Sequence, residues 1–274
     1  MNKVAAPKQE SALKRQFASF AIPILVITGI LIYVYVLGNP SNFEGGDSES
    51  HPIPEGVGHV LGLMYKGGKI VPILLSLVLM SITFSIERFL TIGKAQGKGN
   101  AEAFVRKIQG HLSANNSNAA IEECDKQQGS VANIVRAALV KYREMETVTD
   151  LNKDQKILAI QKELEEATTL ELPMLEKNLV IIATMASVST LVALLGTVLG
   201  MIRAFSALGT GGAPDSVGLA NGISEALINT ALGIGNSAIA IIMYNVFTTK
   251  IDKITFTIDE AGYSIVQTFA EKHK

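Results

Sequence analysis

Four stretches of this chain are apolar over lengths that suit a bilayer core, which takes about 20 helical residues to cross. They are Phe17–Leu37, Ile70–Ile86 (lengthened by Phe89 and Leu90), Leu179–Leu208 and Leu219–Phe247. Hydrocarbon offers backbone amides no partner, so a spanning segment must be a helix or part of a closed barrel. The short, alternating pieces of a barrel are absent from the sequence. A mean hydropathy of +0.31, where soluble domains fall below zero, agrees with this reading. The expected fold class is all-α: a polytopic helical membrane protein with four spans.

Charge in the connections then orients the spans. Lys3, Lys8, Lys14 and Arg15 precede the first run, and Arg88, Lys94 and Lys98 follow the second. The 38–69 connection carries Glu44, Asp47, Glu49 and Glu55 against only Lys66 and Lys69. Residues 1–16 are therefore read as a cytoplasmic N-terminus, 17–37 as a transmembrane helix and 38–69 as a periplasmic loop. The next span is 70–90, followed by a cytoplasmic helical domain over 91–178. Pore-lining helices occupy 179–208 and 219–247, joined by a short periplasmic loop, 209–218, and 248–274 forms a cytoplasmic tail. The first run exceeds the roughly 7–15 residues of a signal-peptide core, and VLGNP offers no cleavage site, so it is read as a retained anchor. Within that loop the stretch GNPSNFEGGDSESHPIPEGVG, residues 38–58, is rich in Gly, Pro and Ser and reads as irregular. Cys124, the sole cysteine, falls on the reducing side and forms no internal disulfide.

The 91–178 segment reads as amphipathic helices, with Asn100 as an N-cap and Gly129 as a stop. Ile134, Ala138 and Tyr142 share a face. No phosphate-cradling glycine loop, metal-spaced His/Cys set or nucleophile–base pair stands out, so neither an enzyme nor a nucleic-acid binder is expected. His51 and His59 read as solvated loop residues. Glu87 and Arg88 read as closing the second span at its cytoplasmic surface.

The informative polarity lies in the last two spans. From Gly218 to Phe247 the only formal charge is Glu225. At helical spacing Asn221, Asn229 and Asn236 fall within about 40° of it, forming one narrow stripe. Leu227, Ile234, Ile241 and Ile242 point elsewhere. In the preceding span Thr197, Thr190, Ala186, Ala193 and Ala204 share a small or hydroxylic face, and Gly196 and Gly200 form a GxxxG pair that permits close helix approach. A charge at mid-bilayer costs roughly 2.5–3.5 kcal/mol on insertion scales, so such a carboxylate must meet a partner, a hydrated cavity or a proton. The expectation is an ion path carried by Thr197, Glu225 and Thr230, with Thr190, Asn221, Asn229 and Asn236 as further pore-lining candidates. Arg203 reads as snorkelling to the external interface.

LPMLEKNLVIIATMAS, LLGTVLGMIRAF, GISEALINTALG and YNVF, in this order, resemble the ExbB/TolQ/MotA family of ion-driven motor proteins, and ExbB and TolQ more than MotA. The resemblance implies a homo-pentamer in the bacterial inner membrane, both termini cytoplasmic, around an ExbD- or TolR-like single-span subunit. It further implies protons as the coupling ion, with no other cofactor, and work passed to a TonB-like protein for outer-membrane transport. A TolQ-like role in envelope maintenance, a motility stator and a non-conducting scaffold are the alternatives. Thr190 and Ile239 stand where the family usually has proline, and Ala193 where it has glycine. Asn236 and Ser237 replace small apolar residues, and the first span is additional to the three of ExbB.

Overall fold

The computed structural model describes residues 17–48, 50–209 and 215–272, and nearly all of them are helical. Among the described residues there is no strand, only an isolated bridge between Phe43 and Pro52. The all-α class follows, and four helices among the described residues are long and apolar enough to cross a membrane. Residues 1–16 and part of the 209–218 connection lie outside the described residues, as do Glu49 and the last two residues of the tail.

In chain order the helices are α1 (Phe17–Leu31, continued as a π-helical segment, Ile32–Leu37), α2 (Val57–Tyr65) and α3 (Val71–Ala95). Then come α4 (Ala101–Ser113), α5 (Ser117–Gln127), α6 (Gly129–Thr147), α7 (Lys153–Glu176), α8 (Leu179–Leu208) and α9 (Ser216–Lys272). They form two units: one ends at Ser85 and adds Ile181–Met243, and the other combines Ile86–Val180 with the chain from Tyr244. α9 contributes to both, without a break where the sequence suggests that a span gives way to a tail.

In the first unit α1 is peripheral. Gly29 is the buried residue of Phe17–Leu31, set so tightly against α3 that a side chain there would strike Ser76. Phe20, Ile24, Ile27, Leu31 and Tyr35 face outward, as a lipid-facing stripe would. The described residues of 38–56 form no α-helix or strand, only two short 3-10 turns, as their composition implies, yet side-chain contacts hold them in place. Asn42 is buried and donates from Nδ2 to the carbonyls of Val36 (2.7 Å) and Leu37 (3.0 Å), which lie at the end of the first span. Phe43 is buried edge-on to Tyr65, and Tyr33 stacks on Tyr65 at 4.8 Å between centroids. Composition alone misses this order because tertiary contacts, not local propensity, hold it. His59 belongs to the same knot, its Nδ1 lying 2.7 Å from the carbonyl of Ile53.

The second unit is a helical bundle. Phe104, Ile108 and Leu112 of α4, Ile121 and Cys124 of α5, and Ile134, Ala138 and Tyr142 of α6 are buried, together with Ile258, Ile265 and Phe269 of α9. Tyr142 meets Phe269 edge-to-face at 5.0 Å. Asn100 caps α4 through the amides of Glu102 and Ala103, and Asn116 caps α5 through the amide of Ala119. Asn152 and Gln155 form a reciprocal capping box at the start of α7. Gly129 has φ +83° and meets the backbone of Ala95 and Gly97, leaving no room for a side chain.

Arg88 departs from its expected surface role. Its side chain is 2% exposed and grips Glu87 through Nε (2.6 Å) and Nη2 (2.5 Å). Nη1 donates to the carbonyls of Met174 and Leu175, both 3.2 Å away, among the last carbonyls of α7. A helix C-terminus leaves such carbonyls without amides and carries partial negative charge, so a buried cation there is doubly favoured. Glu87 is also held by Thr91 and Asn178, the latter at φ +64° where α7 ends and α8 begins. Arg88→Met strands this carboxylate and two carbonyls, and should cost about 3–5 kcal/mol in denaturation of the solubilised protein. A loss below about 1 kcal/mol would show that the clamp contributes nothing.

Burial pushes the Cys124 thiol up to about 12, while its Sγ donates to the carbonyl of Ala120. The thiolate is the reactive form, so at pH 8 iodoacetamide should label native Cys124 at least about 100-fold more slowly than the denatured chain. Fast native labelling would mean that α5 opens readily.

Candidate functional site

The site is built on the contact between α8 and α9, and that contact is made by residues almost without side chains. A Cβ added to Gly200 would lie 2.8 Å from the Ala226 amide nitrogen and the Gly222 carbonyl oxygen. One added to Gly222 would lie 2.6 Å from the amide nitrogen of Ala204, and one on Gly233 would lie 2.6 Å from the Ser189 carbonyl oxygen. Ala193, Ala204, Ala226 and Ala240 are buried along the same seam. The two helices therefore run antiparallel with backbones nearly touching, the packing that small residues permit in membranes.

Close approach brings short polar side chains together. The hydroxyls of Thr197 and Thr230 are 2.5 Å apart. Each also lies 3.0 Å from the carbonyl one turn back on its own helix, Ala193 for Thr197 and Ala226 for Thr230. Three oxygen–oxygen contacts thus share two hydroxyl protons. Thr197 also lines an open concavity of about 600 Å³ with Val198, Met201, Ile202, Phe205 and Ser206. The surrounding faces are apolar and exposed: Leu191, Leu195 and Val198 on α8, and Leu227, Ile234 and Ile241 on α9.

Glu225 lies just over one turn before Thr230. Its carboxylate is paired with Arg203, both oxygens contacting Nη1. The Glu225 side chain is 8% exposed and that of Arg203 49%. Arg203 thus does not snorkel outward, as the sequence suggests, but meets the carboxylate. It stands near the end of α8 and Glu225 in the third turn of α9, so an antiparallel hairpin sets them at one depth. That was the signal available in the sequence: opposite charges at matched distances from a short connection.

The rest of the stripe turns mostly into the protomer. Asn229 is fully buried and donates from Nδ2 to the carbonyl of Gly67 at 3.0 Å, and Asn236 donates to Ser189 Oγ at 2.7 Å. Their Oδ1 atoms have no hydrogen-bond partner among the described residues. Asn221 is exposed, and Thr190 is half-buried with its hydroxyl 3.5 Å from the carbonyl of Ala186. Within one protomer, then, the stripe does not form a single outward-facing line; Thr197 meets Thr230 and Arg203 meets Glu225, while Asn229 and Asn236 bind neighbouring elements. Sequence reasoning missed Ser189 and the Gly67–Gly68 turn.

This is the architecture of a multi-pass helical membrane protein whose last two helices form a small-residue hairpin with polar groups in its seam. The model of the MotA/TolQ/ExbB proton channel family matches residues 126–260, which include α8 and α9 as far as Glu260, and over this region the chain is similar to that family. An ExbB-like biopolymer transport protein of Synechocystis is 41% identical over 86 residues, 31% of this chain and 41% of the relative. The Tol-Pal system protein TolQ of Pseudomonas aeruginosa is 32% identical over 44% of this chain and 52% of its own. The biopolymer transport protein ExbB of Xanthomonas campestris is 28% identical over 40% of this chain and 44% of its own. The chain thus spans about half the length of these relatives.

The seam can be tested by adding single carbons. Gly200→Ala forces α8 off α9 and should cost about 1–3 kcal/mol in denaturation of the solubilised protein. Gly110→Ala in α4, where a Cβ meets nothing within 4 Å, should be neutral or gain up to about 1 kcal/mol. Equal effects of the two changes would mean that the helices are not in backbone contact.

Proposed function

We propose that the chain is the channel subunit of a proton-driven motor of the bacterial inner membrane, ExbB-like, and that it is not an enzyme. The observation that carries this reading is the Thr197–Thr230 hydroxyl contact, in the same membrane hairpin as the buried Glu225 carboxylate and within the region matched by the proton channel family. Hydroxyls that both donate and accept can conduct or hydrate a proton, and a carboxylate can exchange one. Both termini lie in the cytoplasm in this reading. The protomer assembles as a homo-pentamer, and its last two spans surround a single-span ExbD-like partner that shares the proton path. Work passes to a TonB-like protein that energises outer-membrane transport.

The energetics suit a repeating device. One charge crossing 100 mV yields about 2.3 kcal/mol. One pH unit adds about 1.4 kcal/mol. A task that costs tens of kcal/mol therefore takes several protons.

Relatives named TolQ support a Tol-type variant of the same motor equally, acting in envelope maintenance. The burial of Asn229 and Asn236 favours a different role for those two residues, as interhelical glue rather than pore lining. A non-conducting scaffold would extend that role to the whole stripe.

Purification from native membranes in mild detergent, with mass spectrometry of co-purifying small proteins, tests the assembly. A single-span partner with an acidic residue in its helix is expected, and a clean homo-oligomer would favour the scaffold. In the same complex, reconstituted in vesicles, Glu225→Gln and Thr197→Val/Thr230→Val should assemble normally and lose at least about tenfold in potential-driven proton flux. Normal flux in both variants would remove these residues from the path.

A further inference from the structure

We infer that Arg203, together with the Gly67–Gly68 turn, forms a clasp that keeps Glu225 neutralised, and that the path opens only when Arg203 leaves the carboxylate. The inference rests on the proposed ion path through Glu225 and assigns two elements that path does not otherwise use.

Three observations converge on it. First, both oxygens of Glu225 face Arg203 Nη1, so a cation approaching the carboxylate meets a guanidinium already in place. A single nitrogen serves both oxygens. This is not the two-nitrogen fork that makes arginine–carboxylate pairs hardest to separate. Second, the pair is asymmetric. The carboxylate is buried on its helix while the long arginine is half-exposed, so the arginine is the member able to swing out.

Third, the turn leading into α3 is seated on the pair. Gly68 adopts φ +76°, and a Cβ there would strike the Glu225 carboxyl group and approach Arg203 Nη1. Gly67 gives its carbonyl to Asn229 one turn further along α9, and a Cβ on it would press on Ile228 and Val71. The turn is thus pinned to α9 on one side of the ion pair and is continuous, through Lys66, with α2. A displacement of the α2 segment pulls on the residues that cover Glu225. The clasp therefore links the 38–69 segment to the conducting hairpin, and Arg203 is a positioning residue that acts through Glu225.

The test uses the complex as purified, reconstituted in vesicles holding pyranine, with a potassium–valinomycin potential driving protons inward. While the open state is a minor one, flux rises in proportion to its population. Arg203→Gln and Gly68→Ala should each therefore raise resting proton entry by about tenfold. Neither rise should survive in combination with Glu225→Gln, because the clasp acts only through that carboxylate. Arg203→Lys, which keeps the charge, should stay near the resting rate, and Gly68→Ala carries the test if Arg203→Gln fails to assemble.

Resting rates in both Arg203→Gln and Gly68→Ala overturn the clasp, as does a leak that persists in the Glu225→Gln double variants. The underlying reading fails separately. If Glu225→Gln alone carries normal driven flux, the path does not run through Glu225 and the clasp falls with it. If Glu225→Gln abolishes driven flux while Arg203→Gln and Gly68→Ala leave resting entry unchanged, the path stands and only the clasp falls.

Discussion

Backbone contact between α8 and α9 is the constraint on which the polar chemistry depends. Threonine hydroxyls reach little beyond their own Cβ, so Thr197 and Thr230 meet only because Gly200, Gly222 and Gly233 let the helices nearly touch. Larger residues along this seam would separate the hydroxyls and leave each bonded only to its own helix. The same spacing sets Arg203 against Glu225 and Asn236 against Ser189. In hydrocarbon, where apolar burial between helices contributes little, close van der Waals contact and these polar bonds are the main attractive terms available.

The second unit solves a different problem with a different device. α7 ends beside Asn178, at a positive φ, and its last carbonyls need donors. A guanidinium supplies them, and the adjacent Glu87 balances its charge. Such a knot is costly to break because each member, left alone, would be a buried group without its partner. It fixes the point at which a polar helix gives way to a membrane helix.

The fold class was legible because hydropathy over twenty residues is an average, insensitive to any one contact. Caps were legible where a side chain serves its own helix, as at Asn100. What the sequence concealed depends on pairs distant along the chain. Helical spacing placed Glu225, Asn229 and Asn236 on one face correctly, but a stripe does not say what it faces. Here Ser189 and the Gly67 carbonyl, far away in sequence, turn two of its members inward. Arg203 and Arg88 looked like interface residues for the same reason: their partners lie on other elements. The 38–56 stretch has the irregular backbone its composition implies, but Asn42, Phe43 and Tyr65 order it through contacts that composition does not register.

The threonine pair has one more property, which follows from counting its protons. With two hydroxyl hydrogens for three contacts, Thr230 can donate to Thr197 while Thr197 donates to Ala193, or Thr197 can donate to Thr230 while Thr230 donates to Ala226. Because the helices are antiparallel, those two carbonyls lie towards opposite ends of the hairpin. The two arrangements are built from equivalent bonds, yet their O–H dipoles point in opposite directions along the helix axes. The pair can therefore pass from one arrangement to the other by rotating two hydroxyl hydrogens, without moving any heavy atom.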